Sequence, residues 1–284
     1  MDLFFTRLLT GLGILLRRTP LWLHHFIARV VAGFVIIANL KRFMLAQRNL
    51  KLIFSANSRL ANFRTAWKSY LNLSFVLLEF LQIPALDKGT IKKRFAFKGL
   101  ENFRNALSGG RGVLLLTAHF GNWEILGQAL VLLGFPLSSI VKTQKHGRLD
   151  NRINQFRACH GMEVITKGFG LREAVLALKR NRILGILLDQ DAKDQGLMVP
   201  FLGLPASTPA SISALHQRYG SPIIPTFIIR EGYFKFRVMI GEPLRTEGMD
   251  QETILRTCND EISGIVREYP EQWLWLHNRW RTKL

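Results

Sequence analysis

The chain has 284 residues, of which 48% are hydrophobic and 21% charged. That mix excludes a disordered, collagen-like or low-complexity protein and is that of a globular or membrane-associated one. The 39 Lys and Arg outweigh the 20 Asp and Glu, for a formal net charge of +19. A surface of that sign needs anionic partners. The two cysteines, Cys159 and Cys258, form no CxxC pair, which excludes a disulfide scaffold and a cysteine zinc site and suits a reducing compartment.

The positive excess is uneven. Residues 1–110 carry 17 Lys and Arg against 4 Asp and Glu, a net of +13, and residues 111–284 carry 22 against 16, a net of +6. The N-terminal part is thus basic and apolar at once. Nucleic acid, anionic lipid headgroups and an acidic carrier protein all fit such a surface, and the mixing of Phe, Leu, Ile and Val with Arg and Lys leans towards membrane.

Leu3–Leu16 is apolar but short and broken by Arg7. Leu21–Leu40 has the roughly 20 residues needed to span a bilayer, yet contains His24, His25 and Arg29. An Arg near the centre of a span costs about 2.5–3.5 kcal/mol. The segment reads as an anchor, either a poor span or an interfacial helix, with a buried core helix as the alternative. Arg17, Arg18, Lys41 and Arg42 flank it on both sides, so charge gives no orientation. No small-residue cleavage site follows a short apolar stretch, so export by a cleaved signal is not expected.

Phe43–Leu81 has helical apolar spacing with a break at Ser55-Ala-Asn-Ser58. Lys88–Arg94 reads as a basic connector, Phe95–Leu107 is of undecided type, and Ser108–Gly112 is a turn. From there strands and helices alternate. Strands are expected at Val113–Ala118, Ser139–Lys142, Glu163–Ile165, Ile183–Leu188, Pro222–Ile229 and Phe234–Ile240. Helices are expected at Asn122–Leu133, Leu149–His160, Leu171–Arg180, Pro209–Tyr219 and Gln251–Glu268. This order predicts an α/β fold with a central, largely parallel or mixed sheet flanked by helices, and sites at the carboxyl ends of its strands. The division read from composition is a basic helical region over 1–81 and an α/β domain over 82–284.

The sharpest local feature is Thr117-Ala-His-Phe-Gly-Asn-Trp-Glu124, at the end of a predicted buried strand. On one continuous helix His119 and Glu124, five apart, would lie about 140° apart. With Gly121 as a turn and Asn122 as N-cap, Glu124 falls in the first helical turn and its carboxylate can approach the imidazole. An anion there fixes the ring tautomer and strengthens His119 as a base towards an attacking hydroxyl, the base half of a triad without a protein nucleophile. The alternative is a His and a Glu that merely close a structural turn. There is no GxSxG elbow and no HExxH metal-ligand spacing.

The HFGNWE stretch resembles the HxxxxD/E motif of the lysophospholipid acyltransferase superfamily, in the form found in the bacterial lipid A late acyltransferases (lauroyl and myristoyl transferases). Arg42–Lys51 is similar to their basic RNL segment, Leu188-Asp-Gln-Asp191 to their D[QH]D block and Val199–Ala206 to VPFFGxPA. Pro270–Trp275 with His277, Arg279 and Trp280 is similar to their closing PEQWxWxHxRW. Gln190, where some members carry His, and Lys193-Asp-Gln-Gly196, where some carry DYG, are departures that bear on the acceptor.

The resemblance implies transfer of an acyl chain from an acyl-carrier-protein thioester, or acyl-CoA, to a hydroxyl of a lipid A precursor, with no metal or other cofactor. It implies an N-terminal anchor at the cytoplasmic face of the inner membrane. His119 would be the general base and Glu124 its partner, with Arg157, Asn122, Asp189 and Asp191 towards substrate. For Arg157 the alternative is a solvated helix arginine, and for Asp189 and Asp191 a structural loop. Arg17, Arg18, Lys41, Arg42, Arg48 and Lys51 are the candidates for lipid headgroups. Trp273, Trp275 and Trp280 fit a membrane interface or a packed core equally. Acyl transfer to a lysophospholipid or another lipid and, in another class, binding of nucleic acid are the rival readings. No RNP, KH, helix-turn-helix or zinc-finger pattern supports the last, so acyl carrier protein and anionic lipid are the expected partners.

Overall fold

The computed structural model describes residues 11–282 apart from 14, 18, 142–146 and 167–169. Arg18 and residues 3–10 of the first apolar run lie outside the described residues, as does Lys142.

Helix α1 is Leu21–Ala38, α2 Leu40–Ile53 and α3 Arg59–Phe80. The expected break between the last two is real: Ser58 accepts the Ala61 N–H and caps α3. The basic connector is instead a short helix, α4 (Lys88–Arg94), capped by Asp87, whose carboxylate accepts the Thr90 N–H at 2.6 Å. The undecided stretch after it splits into strand β1 (Phe95–Lys98) and helix α5 (Leu100–Ser108).

The rest alternates as the sequence predicts. In chain order it runs β2 (Val113–Thr117), α6 (Trp123–Leu132), β3 (Leu137–Val141), α7 (Gly147–Ala158), β4 (Glu163–Thr166), α8 (Gly170–Lys179) and β5 (Ile183–Leu187). After a hairpin of β6 (Gly196–Phe201) and β7 (Leu204–Pro209) come α9 (Ser211–Tyr219), β8 (Ile223–Gly232), β9 (Lys235–Ile240) and α10 (Gln251–Glu268). Two differences stand out. The hairpin is unanticipated, and α9 starts at Ser211 because Pro209 closes β7 rather than opening the helix.

The seven-stranded sheet has the order β1-β9-β8-β2-β5-β3-β4. It is mixed: β8 to β4 run parallel, while the β8–β9 hairpin turns β9 and its parallel neighbour β1 the other way. Strand β2 sits at its centre between β5 and β8 and is buried on both faces. Val113 and Leu115 pack with Ile125, Ala129 and Phe103 on one side; Leu114 and Leu116 pack with Ile212, Leu255 and Ile262 on the other. That second cluster also takes in Phe43, Ala46 and Leu50 of α2 and Ala66 and Tyr70 of α3. The basic N-terminal helices therefore share a core with the sheet, and α3 lies across the end of the sheet where β2 delivers the HFGNWE turn.

Candidate active site

The site is built by register. Strands β2 and β5 pair in parallel, Val113 opposite Ile183 through Thr117 opposite Leu187. His119 and Asp189 each lie two residues beyond that last rung. Backbone and side chain both close the gap: the His119 N–H donates to Asp189 Oδ2 at 3.0 Å, and His119 Nδ1 donates to Asp189 Oδ1 at 2.8 Å. The Trp273 indole N–H is a third donor, to Oδ2 at 2.8 Å. Asp189 is buried. Burial alone would raise its pKa, but the imidazole charge and the three donated bonds outweigh that and hold the carboxyl below its ordinary value. An anion bonded to Nδ1–H leaves Nε2 as the acceptor nitrogen. The Gln190 side-chain amide lies 3.3 Å from Nε2, and the Trp123 ring meets the imidazole edge-on at 5.1 Å.

The carboxylate beside His119 is thus Asp189, where the HxxxxE spacing led us to expect Glu124. Asn122 caps α6 as anticipated, its Oδ1 accepting the Ile125 N–H at 3.1 Å, and Glu124 does sit in the first turn. Its carboxylate turns to Arg157, which grips it through Nε at 2.9 Å and through Nη2. The physical reason is competition. A guanidinium fork satisfies both carboxylate oxygens at once, whereas an imidazole offers one N–H, and that N–H is already taken across the β2–β5 rung. Burial works against the charge of Arg157, but the bonds and charge of Glu124, with Asp150 beyond it, prevail and raise its pKa. Arg157 is therefore not a solvated helix arginine: two of its nitrogens are held by Glu124. Its remaining Nη1 reaches Asn154 at 3.3 Å.

Asn122 is the clearest correction among the substrate-binding candidates. It is fully buried, and while its Oδ1 caps α6 its Nδ2 donates to Glu79 Oε2 at 2.6 Å. It holds the turn and cannot reach a substrate. Glu79, which sequence reasoning passed over, is the hub there. It also accepts the Phe234 N–H at 2.9 Å and forms a buried ion pair with Arg230, whose Nη2 lies at 2.8 Å. Arg230 in turn donates to Asn72 and lies over the rings of Phe75 and Phe236. A lone glutamate in the apolar run Leu77-Leu78-Glu79-Phe80 was the signal available.

The closing segment after α10 completes the frame. Phe120 and Trp273 form an antiparallel bridge, the Gly121 N–H donates to Gln272 O at 3.0 Å, and the Leu274 N–H donates to His119 O at 3.1 Å. Gly121 has φ +58°, and a Cβ there would fall on the Ile228 carbonyl oxygen. Asn49 of α2 donates to the carbonyls of Trp275 and His277, both at 3.0 Å, and Ser69 of α3 donates to that of Trp273 at 2.6 Å. Trp273 and Trp275 are fully buried and Trp280 packs against Phe201, so the tryptophans form core and not a membrane interface. Asp191 belongs to the same frame: its N–H donates to His277 Nε2 at 3.0 Å and its Oδ2 accepts from Thr282, while Oδ1 is buried with no hydrogen-bond partner among the described residues. Arg279 is buried under Phe201 and pushed down to about 10 by burial.

His119, Glu124, Arg157, Gln190 and Asp191 all line one open cavity of about 1720 Å³. This exceeds the roughly 300–1,000 Å³ of an ordinary small-molecule pocket. Part of its lining is apolar, including Leu115, Leu126, Gly127, Leu137, Ile140 and Met162. Its outer wall carries Arg172, Lys179, Lys193 and Arg218. An imidazole backed by an anion, an apolar lining and exposed basic residues at the wall suit acyl transfer between charged, lipid-bearing substrates.

The bacterial lipid A biosynthesis acyltransferase family matches residues 3–282. The chain belongs to this family. It is 27% identical over 210 residues to a phosphatidylinositol mannoside acyltransferase of Mycolicibacterium smegmatis, covering 72% of this chain and 69% of that one. It is 23% identical to the lipid A biosynthesis palmitoleoyltransferase of Escherichia coli and 22% identical to the lauroyltransferase of the same organism, in each case covering 86% of this chain and 80% of the relative. The chain is an acyltransferase of this family, and its relatives act on lipid or glycolipid acceptors.

Proposed function

We propose that the protein moves a fatty acyl chain from a thioester, carried by acyl carrier protein, to a hydroxyl of a lipid A precursor at the cytoplasmic face of the inner membrane. The observation that supports this best is the His119–Asp189 pair at a cavity of about 1720 Å³ lined by apolar and basic side chains. The acceptor hydroxyl replaces the Gln190 amide at His119 Nε2 and gives up its proton there as its oxygen attacks the thioester carbonyl. Asp189 offsets the imidazolium charge. The carbon–sulfur bond of the tetrahedral intermediate then breaks, and the imidazolium proton goes to the departing thiolate. The products are an ester and a free carrier thiol. A thioester is already activated, so no acyl-enzyme is required. The Gln190 amide and the guanidinium of Arg157 are the side-chain donors at hand for the carbonyl oxyanion. Glu124 positions Arg157.

Likeness to the mycobacterial enzyme supports a second reading, transfer to a sugar hydroxyl of a phosphoinositol glycolipid. The purified protein and its His119→Ala variant are to be offered acyl-carrier-protein and acyl-CoA thioesters against a lipid A precursor, a phosphatidylinositol mannoside and a lysophospholipid, with products read by mass spectrometry. Acylated lipid A precursor from the carrier-protein donor, and a loss of about 10²-fold or more in the variant, are expected. Wild-type turnover by a folded His119→Ala protein overturns the base assignment. Acylation of another acceptor alone overturns the acceptor.

A further inference from the structure

Helix α1 is 18 residues long and apolar enough to cross a membrane by length and composition. Its packing argues otherwise. One face is fastened along its whole length. His24 is buried, its Nε2 2.7 Å from the Leu16 carbonyl oxygen and its ring stacked on Tyr233 at 4.1 Å. His25 meets Phe75 of α3 edge-on at 5.1 Å, Ala28 and Ala32 are fully buried, and Val35 and Ile36 pack on the main core. The opposite face is an apolar stripe: Trp22, Phe26, Val30, Phe34 and Ile37 are 69%, 58%, 54%, 71% and 82% exposed. The stripe continues into α2 with Leu40 and Met44.

Helix α3, on which α1 lies, is itself tied to the catalytic half by Ser69, Asn72 and the Glu79–Arg230 pair. An α1 standing across a bilayer would take α3 with it, and α3 exposes Arg59, Arg64 and Lys68. Each such charge at the bilayer centre costs about 2.5–3.5 kcal/mol. Arg29, exposed on α1 between Phe26 and Val30, adds another. At about 27 Å the helix is also shorter than the roughly 30 Å hydrocarbon core. Lying flat removes the conflict. The stripe sinks into the boundary between headgroups and acyl chains, and Arg29 reaches lipid phosphate with the exposed Lys41, Arg42, Arg48 and Lys51 of α2.

We propose that α1 lies in the plane of an anionic leaflet, its Trp22–Ile37 stripe inserted to a uniform shallow depth, and does not cross the bilayer. This takes from the proposed function only that the protein sits on a membrane. The test uses the full chain with the exposed Cys159 replaced by Ser. Single cysteines at Trp22, Phe26, Val30, Phe34 and Ile37 carry an environment-sensitive fluorophore. The proteins are bound to phosphatidylglycerol–phosphatidylethanolamine vesicles containing lipids with quenchers at graded depths. All five positions are exposed, and unchanged thermal midpoints check that each variant folds.

Equal depths, about 5–10 Å below the surface, are expected. Depths that differ along the helix axis, up to the roughly 22 Å separating Trp22 from Ile37, show a span and overturn the proposal. Absence of vesicle binding overturns it too, while turnover of detergent-dispersed acceptor reports separately on the catalytic reading. Binding that does not fall at least tenfold on pure phosphatidylcholine overturns the anionic-lipid assignment.

Discussion

The substitution that best separates Asp189 from Glu124 as the partner of His119 is Asp189→Asn, which keeps shape and removes charge. Three N–H donors converge on the carboxylate: the imidazole on Oδ1, and the His119 backbone and Trp273 indole on Oδ2. An asparagine has one oxygen and one NH2 to set against them. If the oxygen takes the ring, the NH2 faces two donors and two bonds are lost. If the oxygen takes those two donors, the NH2 faces Nδ1, which can accept only in the other tautomer. The second arrangement keeps all three contacts and is preferred, since each unmatched buried group costs about 1–3 kcal/mol. It also moves the ring hydrogen to Nε2, the nitrogen that receives the acceptor's proton in the proposed reaction. The expected result is a folded protein, destabilised by about 1–3 kcal/mol, with kcat reduced by about 10²–10⁴. The assay is single-turnover acyl transfer at saturating thioester, alongside urea unfolding. Glu124→Gln is the control, since it weakens the grip on Arg157 and leaves the His119–Asp189 bond in place. It is expected to lose less turnover. Near wild-type kcat in Asp189→Asn with the large loss in Glu124→Gln would refute the reasoning and return the partner's role to Glu124.

Glu79→Ala leaves Arg230 buried without its counter-charge and removes the acceptor for Asn122 and Phe234, so a loss of about 3–5 kcal/mol in urea unfolding is expected. Gly121→Ala places a methyl group on the Ile228 carbonyl at a φ of +58°, and calorimetry should show destabilisation of about 2 kcal/mol or more, with turnover falling as the HFGN turn shifts. His277 and Asp189 are two of the groups that set the pH dependence of stability. His277, pushed below 6.5 first of all by burial, contributes stability that is complete above that ordinary value and is lost as pH falls from it towards the folded value. Asp189, held below 3.8, contributes stability present above that value and lost as pH falls through its own lower one. Denaturant midpoints between pH 4 and 8 should therefore decline first below about 6.5. His277→Gln, whose amide nitrogen or oxygen does not titrate there, should flatten that first decline.

The sheet was legible because β2 and β5 are short apolar runs bounded by turns, and such runs have few alternatives to a buried strand. The partner of His119 was not. Glu124 is near in sequence; Asp189 is 70 residues away and becomes a neighbour only when Thr117 and Leu187 pair. That register belongs to the sheet and leaves no periodicity in either segment. What could have raised it is the symmetry of the two segments: each apolar run is followed two positions on by a group capable of proton chemistry. The β6–β7 hairpin was hidden for a different reason. Pro200, Pro205 and Pro209 argue against strands, and Leu202, at φ +53°, occupies a turn position that usually signals Asn or Gly. A two-stranded ribbon tolerates these because its outer ladder has no neighbour to satisfy. Lys88–Arg94 looked like a linker because charge dominates it, whereas its helix rests on the Asp87 cap and on Ile91, which is fully buried. The tryptophans were undecided because an indole suits lipid headgroups and protein cores alike. N–H partners decide it for two of them, Asp189 for Trp273 and the Pro270 carbonyl for Trp275, and packing on Phe201 and Trp273 decides it for Trp280.

The residues quoted as one motif divide between chemistry and scaffold, and the division explains why the N-terminal helices are inseparable from the site. Of HFGNWE, His119 presents to the cavity a ring nitrogen that can take up a proton. Phe120 and Gly121 fix the turn, Asn122 locks it to α3 through Glu79, and Glu124 orients Arg157. The His119 imidazole is held from behind by Asp189, Asp189 by the Trp273 indole, and the Trp273 carbonyl by Ser69 of α3. A continuous hydrogen-bonded path thus leads from a helix under the exposed apolar stripe to the imidazole. Any lipid-facing role of that stripe would then fix not only where the protein resides but the height of His119 above the leaflet, which the proposed reaction, with its acceptor in a membrane and its donor in solution, has to keep constant.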